Sequence, residues 1–125
     1  MPAASNLIRG FLVVEIVLFA LASLLHRGIL ASGFEHSKAA VAESIIALVL
    51  AIGLAVSVYS PNEARPAAQW TQGFALLGVC VGVVMIVIGI GPRTGLDYVI
   101  HGVMAATLIA GLAAARRLQP VESPP

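Results

Sequence analysis

A chain of 125 residues, 59% hydrophobic and 10% charged, is too apolar and too short to hide its apolar surface from water. Soluble domains carry about 25% charged residues, and a short chain keeps a large surface for its volume. The net charge of +1 gives no basic field for nucleic acid, and the lone Cys80 excludes an internal disulfide framework and a cysteine-only metal site. A mean hydropathy of +0.99 makes the lipid bilayer the expected solvent and first partner.

Met1 to Asn6 is a polar lead, and the first apolar run covers about 7–25. It resembles a secretory signal in position, but Glu15 interrupts it, no basic cluster precedes it and the small-residue cleavage pattern after it is poor. It reads as helix 1. A connection from His26 to Lys38, with Gly28 and Gly33, leads to a second run over about 39–59. That is enough to cross a hydrocarbon layer of about 30 Å. Ser60-Pro61-Asn62-Glu63-Ala64-Arg65-Pro66 is a turn. The third run covers about 69–90 and is closed by Pro92; the fourth covers about 96–116. The proline-bearing tail, 118–125, is expected to be disordered.

Every span has to be a helix. An open sheet leaves unpaired backbone groups in lipid, and the runs lack the strict alternation of barrel strands. The expected fold is all-α: a four-helix transmembrane bundle, up-down-up-down with short loops, in one domain over 1–117. With four spans both termini share a side, and that side carries Arg9, Arg65, Arg116 and Arg117 against Arg27, Lys38 and Arg93. The excess places the termini in the cytoplasm.

Helices in lipid associate through small residues that let backbones approach. Thr71, Ala75, Gly78, Gly82, Met85 and Gly89 form such a stripe on helix 3, with Gly78 and Gly82 as a GxxxG pair. Ala47, Ala51 and Ala55 follow Glu43 on helix 2; Gly102, Ala105, Ala106 and Gly111 lie on helix 4. Helix 3 is expected at the centre of a tight bundle. The same glycines also suit a homo-oligomer or membrane-protein contact.

Ionisable groups inside the bilayer are costly and call for an explanation. Glu15 lies near the middle of helix 1, on a face that continues through Phe19, Ala22 and His26. Glu43 lies in the upper part of helix 2, with His36 seven residues earlier; Asp97 and His101 are four apart on helix 4, one turn from each other. Together with Arg93, and with Glu15 deeper, these residues converge on the end of the bundle away from the termini. Arg93 is expected to pair with Asp97 or Glu43.

Three uses of the cluster stand open. It is a structural polar network that fixes helix register. Or it is a proton-linked path for an ion or small solute, with Glu43 and His101 titrating and Glu15 as the deeper station. Or His26, His36 and His101 bind a metal or haem, though no paired spacing such as HxxxH or HExxH favours this, and no cofactor is expected. No GxSxG, HExxH or phosphate-binding loop occurs, so a hydrolytic enzyme is not expected. Ser44 reads as helix-packing glue. Each half also shows an arginine, an acid and a histidine at its turn, Arg27-Glu35-His36 and Arg93-Asp97-His101, which suggests a duplicated hairpin.

Gln72 to Gly78, followed by Gly89-Ile90-Gly91-Pro92-Arg93-Thr94 and then Asp97 and His101, resembles a group of small four-helix bacterial inner-membrane proteins. The resemblance covers mainly helices 3 and 4, with Glu43. It implies a bacterial inner membrane and carries no activity. The expected function is a non-enzymatic accessory or interaction component of that membrane.

Overall fold

The computed structural model describes residues 2–117. Within them the chain forms α1 (Pro2–His26), α2 (Ser37–Tyr59), a single 3-10 turn (Pro61–Glu63), α3 (Ala64–Val87) and α4 (Gly95–Arg117), with no strand. The helices run up-down-up-down, α1 packing on α2, α2 on α3, α3 on α4 and α4 back on α1. At about 1.5 Å per residue, even the 23-residue α2 and α4 reach about 35 Å. All four helices are long and apolar enough to cross a membrane, so the chain is a multi-pass membrane protein. The tail 118–125 lies outside the described residues.

The bundle is inverted relative to a soluble protein. Glu15, His26, Gln72 and Asp97 are exposed by 1% or less, whereas Leu48, Leu77 and Val87 are exposed by 62–67%. Lipid solvates apolar side chains and cannot satisfy polar ones, so the polar groups turn inward onto each other.

The helix ends differ from the hydropathy limits for local reasons. α3 starts at Ala64, ahead of the expected 69, because Pro66 falls in its first turn, where a missing N–H costs nothing. It stops at Val87, ahead of the expected 90. Gly89 takes φ +87°, its N–H bonds back to Ile86 O and that of Ile90 to Met85 O. Gly28 ends α1 in the same way, at φ +74°, with Ile29 N–H on Leu24 O. Both are Schellman ends, which need a residue at ease with positive φ. Gly89 is therefore a turn glycine and not part of the packing stripe.

The polar contacts between helices centre on α1 rather than on α3. The inner face of α1 is Ile8, Leu12, Glu15, Phe19, Ala22 and His26, and its side chains hydrogen-bond to each of the other three helices. The α3 glycines set spacing. A Cβ at Gly78 would press on Ile46 of α2, and one at Gly82 would lie 2.7 Å from Nε2 of His101 on α4. At the end carrying the termini, Arg9 donates to Ser57 O near the end of α2, and Arg65 donates to Ala115 O and Arg116 O at the end of α4. Each arginine thus satisfies carbonyls that a helix end leaves open.

Gly111 of α4 sits directly on the buried Glu15 and Gln72 side chains, with no room for a Cβ, while Gly102 has nothing within 4 Å of the same position. Gly111→Leu is expected to lower the unfolding midpoint in detergent by an amount equivalent to about 1–3 kcal/mol, the usual cost of overpacking. Gly102→Leu is expected to leave that midpoint unchanged.

Candidate functional site

His26 closes α1, and the helix's inward face carries its ring into the bundle. Its Nδ1 lies 2.8 Å from Oε2 of Glu43, and its Nε2 lies 2.8 Å from Oδ1 of Asp97. One histidine therefore joins three helices. Glu43 is placed by the start of α2, where His36 is the N-cap and accepts the Ala39 N–H on Nδ1. Asp97 is placed by the start of α4. Thr94 and Asp97 form a reciprocal cap: Thr94 N–H donates to Asp97 Oδ2 at 2.8 Å, and Asp97 N–H donates to Thr94 Oγ1. The Thr94 hydroxyl donates to the same Asp97 oxygen. The side chains of His26 and Asp97 are fully buried and that of Glu43 nearly so.

The geometry sets a minimum proton count. Two nitrogen–oxygen contacts of 2.8 Å require two protons, one in each. Either the ring holds both as an imidazolium between two carboxylates, or it holds one and a carboxyl keeps the other. With Oε1 of Glu43 unprotonated, both arrangements leave the three groups with one negative charge. Asp97 is the better seat for it, since its second oxygen accepts from Thr94 and it occupies the first turn of a helix.

The other polar residues of this end have separate tasks. His36 uses both ring nitrogens, accepting from Ala39 and donating through Nε2 to Ile90 O at 3.1 Å. His101 donates from Nδ1 to the Asp97 carbonyl one turn earlier at 2.8 Å. Arg93 forms no ion pair with Asp97 or Glu43 among the described residues; its guanidinium lies over Gly89 instead. A hydrated guanidinium is better placed at the membrane rim than desolvated in the bundle. Arg27 donates to Ser44, and Ser23 bonds both Ser44 and the Ala40 carbonyl, so this serine pair locks α1 to α2.

Glu15 stands apart, eleven residues or about 16 Å further down α1. Both of its oxygens accept from Nε2 of Gln72 on the diagonally opposite α3, at 2.9 and 3.0 Å. Sequence reasoning missed Gln72 because a neutral amide in an apolar run raises no charge signal. It also missed His26 as the hub. The signal was there in the Glu15-Phe19-Ala22-His26 face, and the Thr94-Gly95-Leu96-Asp97 capping pattern marked where α4 begins.

Beside the cluster, between α2, α3 and α4, lies a cavity of about 320 Å³. Ile46, Gly78, Val79, Gly82 and Met104 are among its apolar walls, and Phe19 of α1 also lines it. Glu43, His36 and His101 line it too, with Lys38. Oε1 of Glu43 and Nε2 of His101 have no hydrogen-bond partner among the described residues. Glu15 does not line the cavity. No three His, Cys, Asp or Glu side chains among the described residues form a group that could hold a metal ion; His26, His36 and His101 are spread over three separate hydrogen-bonding arrangements.

Removing the hub strands two buried carboxylates. His26→Ala is expected to destabilise the bundle by about 3–5 kcal/mol, the range for breaking a buried charged pair, read as a fall in the unfolding midpoint in detergent. Thr94→Ala, which removes only a cap hydroxyl, is expected to cost about 1 kcal/mol. Equal effects of the two would contradict the geometry. Comparison with protein-family models, curated proteins and solved structures finds no match to this chain, so the site is interpreted from its own residues.

Proposed function

We propose that the chain is a non-enzymatic component of a bacterial inner membrane, an accessory or interaction protein whose buried polar cluster is a clamp. The observation that carries this reading is the double engagement of His26. Both ring nitrogens are taken, by carboxylates of two other helices, at a place sealed from solvent. Such an arrangement fixes the rotation and height of α1 against α2 and α4, which apolar contact cannot do where lipid offers the same contact. The connections between helices are short, and the described residues contain no separate soluble unit.

Partners on this reading are lipid and either another membrane protein or a second copy of the chain. The apolar exterior supplies the surface. The excess of positive charge on the side of the termini, Arg9, Arg65, Arg116 and Arg117 against Arg27, Lys38 and Arg93, supports termini in the cytoplasm.

A conducting path has less support. It requires a continuous polar route from Glu43 to Glu15. The cavity beside Glu43 is lined at its inner end by Phe19, Val79 and Met104, and Glu15 is bound to Gln72 outside it.

In reconstituted vesicles, His101→Leu is expected to leave proton and cation permeability at the level of the parent chain. Glu43→Leu is expected to reduce stability without changing flux per folded molecule. A flux that the parent supports and His101→Leu abolishes, at equal protein content, would contradict the clamp reading. For orientation, a membrane-impermeant maleimide applied to intact cells is expected to label Ser32→Cys and to spare Asn62→Cys, both in a Cys80→Ser background. The reverse pattern would invert the topology.

A further inference from the structure

We propose that the cavity between α2, α3 and α4 is a binding site for a small lipid-soluble cation, a protonated amine on a compact apolar body. This goes beyond the clamp: it uses the one Glu43 oxygen that His26 leaves free.

The chemistry of the walls selects the ligand. Against aliphatic side chains stand two unpartnered polar atoms, Oε1 of Glu43 and Nε2 of His101. The first is a carboxyl oxygen. The second is an acceptor in the neutral ring, because there the one proton sits on Nδ1 and is donated to the Asp97 carbonyl. Both are acceptors, so a ligand that satisfies them has to bring donors. Neither atom is sealed off, so both are open to a donor on a ligand, which would give each a partner.

Charge narrows the class. Two carboxyl groups share the one histidine, and no lysine or arginine forms an ion pair with the cluster among the described residues. Arg27 is bound to Ser23 and Ser44, and Arg93 lies over Gly89. Lys38 lines the cavity but is itself exposed, where its field is screened. An ammonium head beside Glu43 therefore supplies both the missing donors and the missing charge.

Size and access narrow it further. About 320 Å³ is the volume of roughly ten waters of liquid, enough for a cage-like hydrocarbon with one amine. Gly78 and Gly82 line it, with the Ile46 and His101 side chains closed up against them. Its exposed lining includes Ala42 of α2 and Val81 and Met85 of α3, on the surface that faces lipid. His36, Lys38 and the 90–92 turn line its upper rim, so it opens toward the interface as well as the bilayer.

The test uses the full chain in phosphatidylcholine nanodiscs, with protein-free discs as the partition control. Three probes share one cage: 1-aminoadamantane, 1-adamantanol and 1-adamantanecarboxylate. Calorimetric titration is expected to show saturable binding of the amine, one per chain, about tenfold tighter than the alcohol, with no saturable binding of the carboxylate. Ala42→Phe, a change at an exposed position that fills the entrance, is expected to abolish amine binding while the unfolding midpoint stays put. Lys38→Gln is expected to tighten it about two- to threefold by removing a like charge. Glu43→Gln is expected to weaken it at least about tenfold; should that variant fail to fold, Ala42→Phe and Lys38→Gln decide the matter. Amine binding unchanged by Ala42→Phe, an alcohol as tight as the amine, or saturable carboxylate binding would each overturn the proposal.

Discussion

A histidine with a carboxylate at each ring nitrogen, in a place that water does not reach, is the constraint on which this bundle depends. Lipid makes it so. In water, the burial of apolar surface would press the helices together and the polar contact would be one term among many. In a bilayer the helices gain little from leaving lipid for each other, so hydrogen bonds and close packing decide which helix faces which. His26 can reach its carboxylates only when α1, α2 and α4 stand at one relative height and rotation. The Ser23–Ser44 pair repeats the lock between α1 and α2, and Glu15–Gln72 carries it across the diagonal to α3. Each contact starts on α1, and each would leave a polar group in hydrocarbon if the helix slid.

The two hairpins are built with the same devices. α1 and α3 both end in a Schellman turn, at Gly28 and Gly89. Arg9 and Arg65 each satisfy carbonyls at the end of the following helix. Glu43 and His101 each lie seven residues after an N-cap, His36 and Thr94 respectively. Glu15 and Gln72, partners across the diagonal, lie at corresponding depths. Parallel hairpins of this kind relate by an axis along the membrane normal. The halves part company at one point: α1 brings an imidazole inward at its end, and α3 brings Ile86, with a cavity beside it lined by Gly82 and Met85. The filled side holds the clamp, and the open side holds the free oxygen of Glu43.

Much of the architecture was legible from hydropathy alone, since four apolar runs of spanning length permit little besides a helical bundle. The limits were less so. Pro66 marks a turn on paper, yet in the first turn of a helix a proline is at home, and Gly89 looks like a packing residue until its positive φ is seen. The gathering of charge at one end was also legible, because the spans alternate direction and so bring His26, Glu43, Asp97 and His101 to one rim. The pairing within that gathering was not. Formal charge draws Arg93 to Asp97, whereas desolvation keeps the guanidinium at the rim and gives the carboxylate to a histidine that is smaller and easier to bury. Gln72 was invisible for the complementary reason, having no charge to notice.

The central claim is tested most directly by distance. Solid-state NMR on the chain in lipid bilayers, with ¹⁵N in the histidine rings and ¹³C in the Asp and Glu carboxyls, reads the dipolar coupling between each His26 nitrogen and its neighbours. The account predicts that Nδ1 couples to the Glu43 carboxyl and Nε2 to the Asp97 carboxyl, at separations matching nitrogen–oxygen contacts of 2.8 Å, with no broadening from a water-soluble paramagnetic ion. A His26 ring without either coupling, or one that the ion broadens as strongly as an exposed side chain, would contradict it.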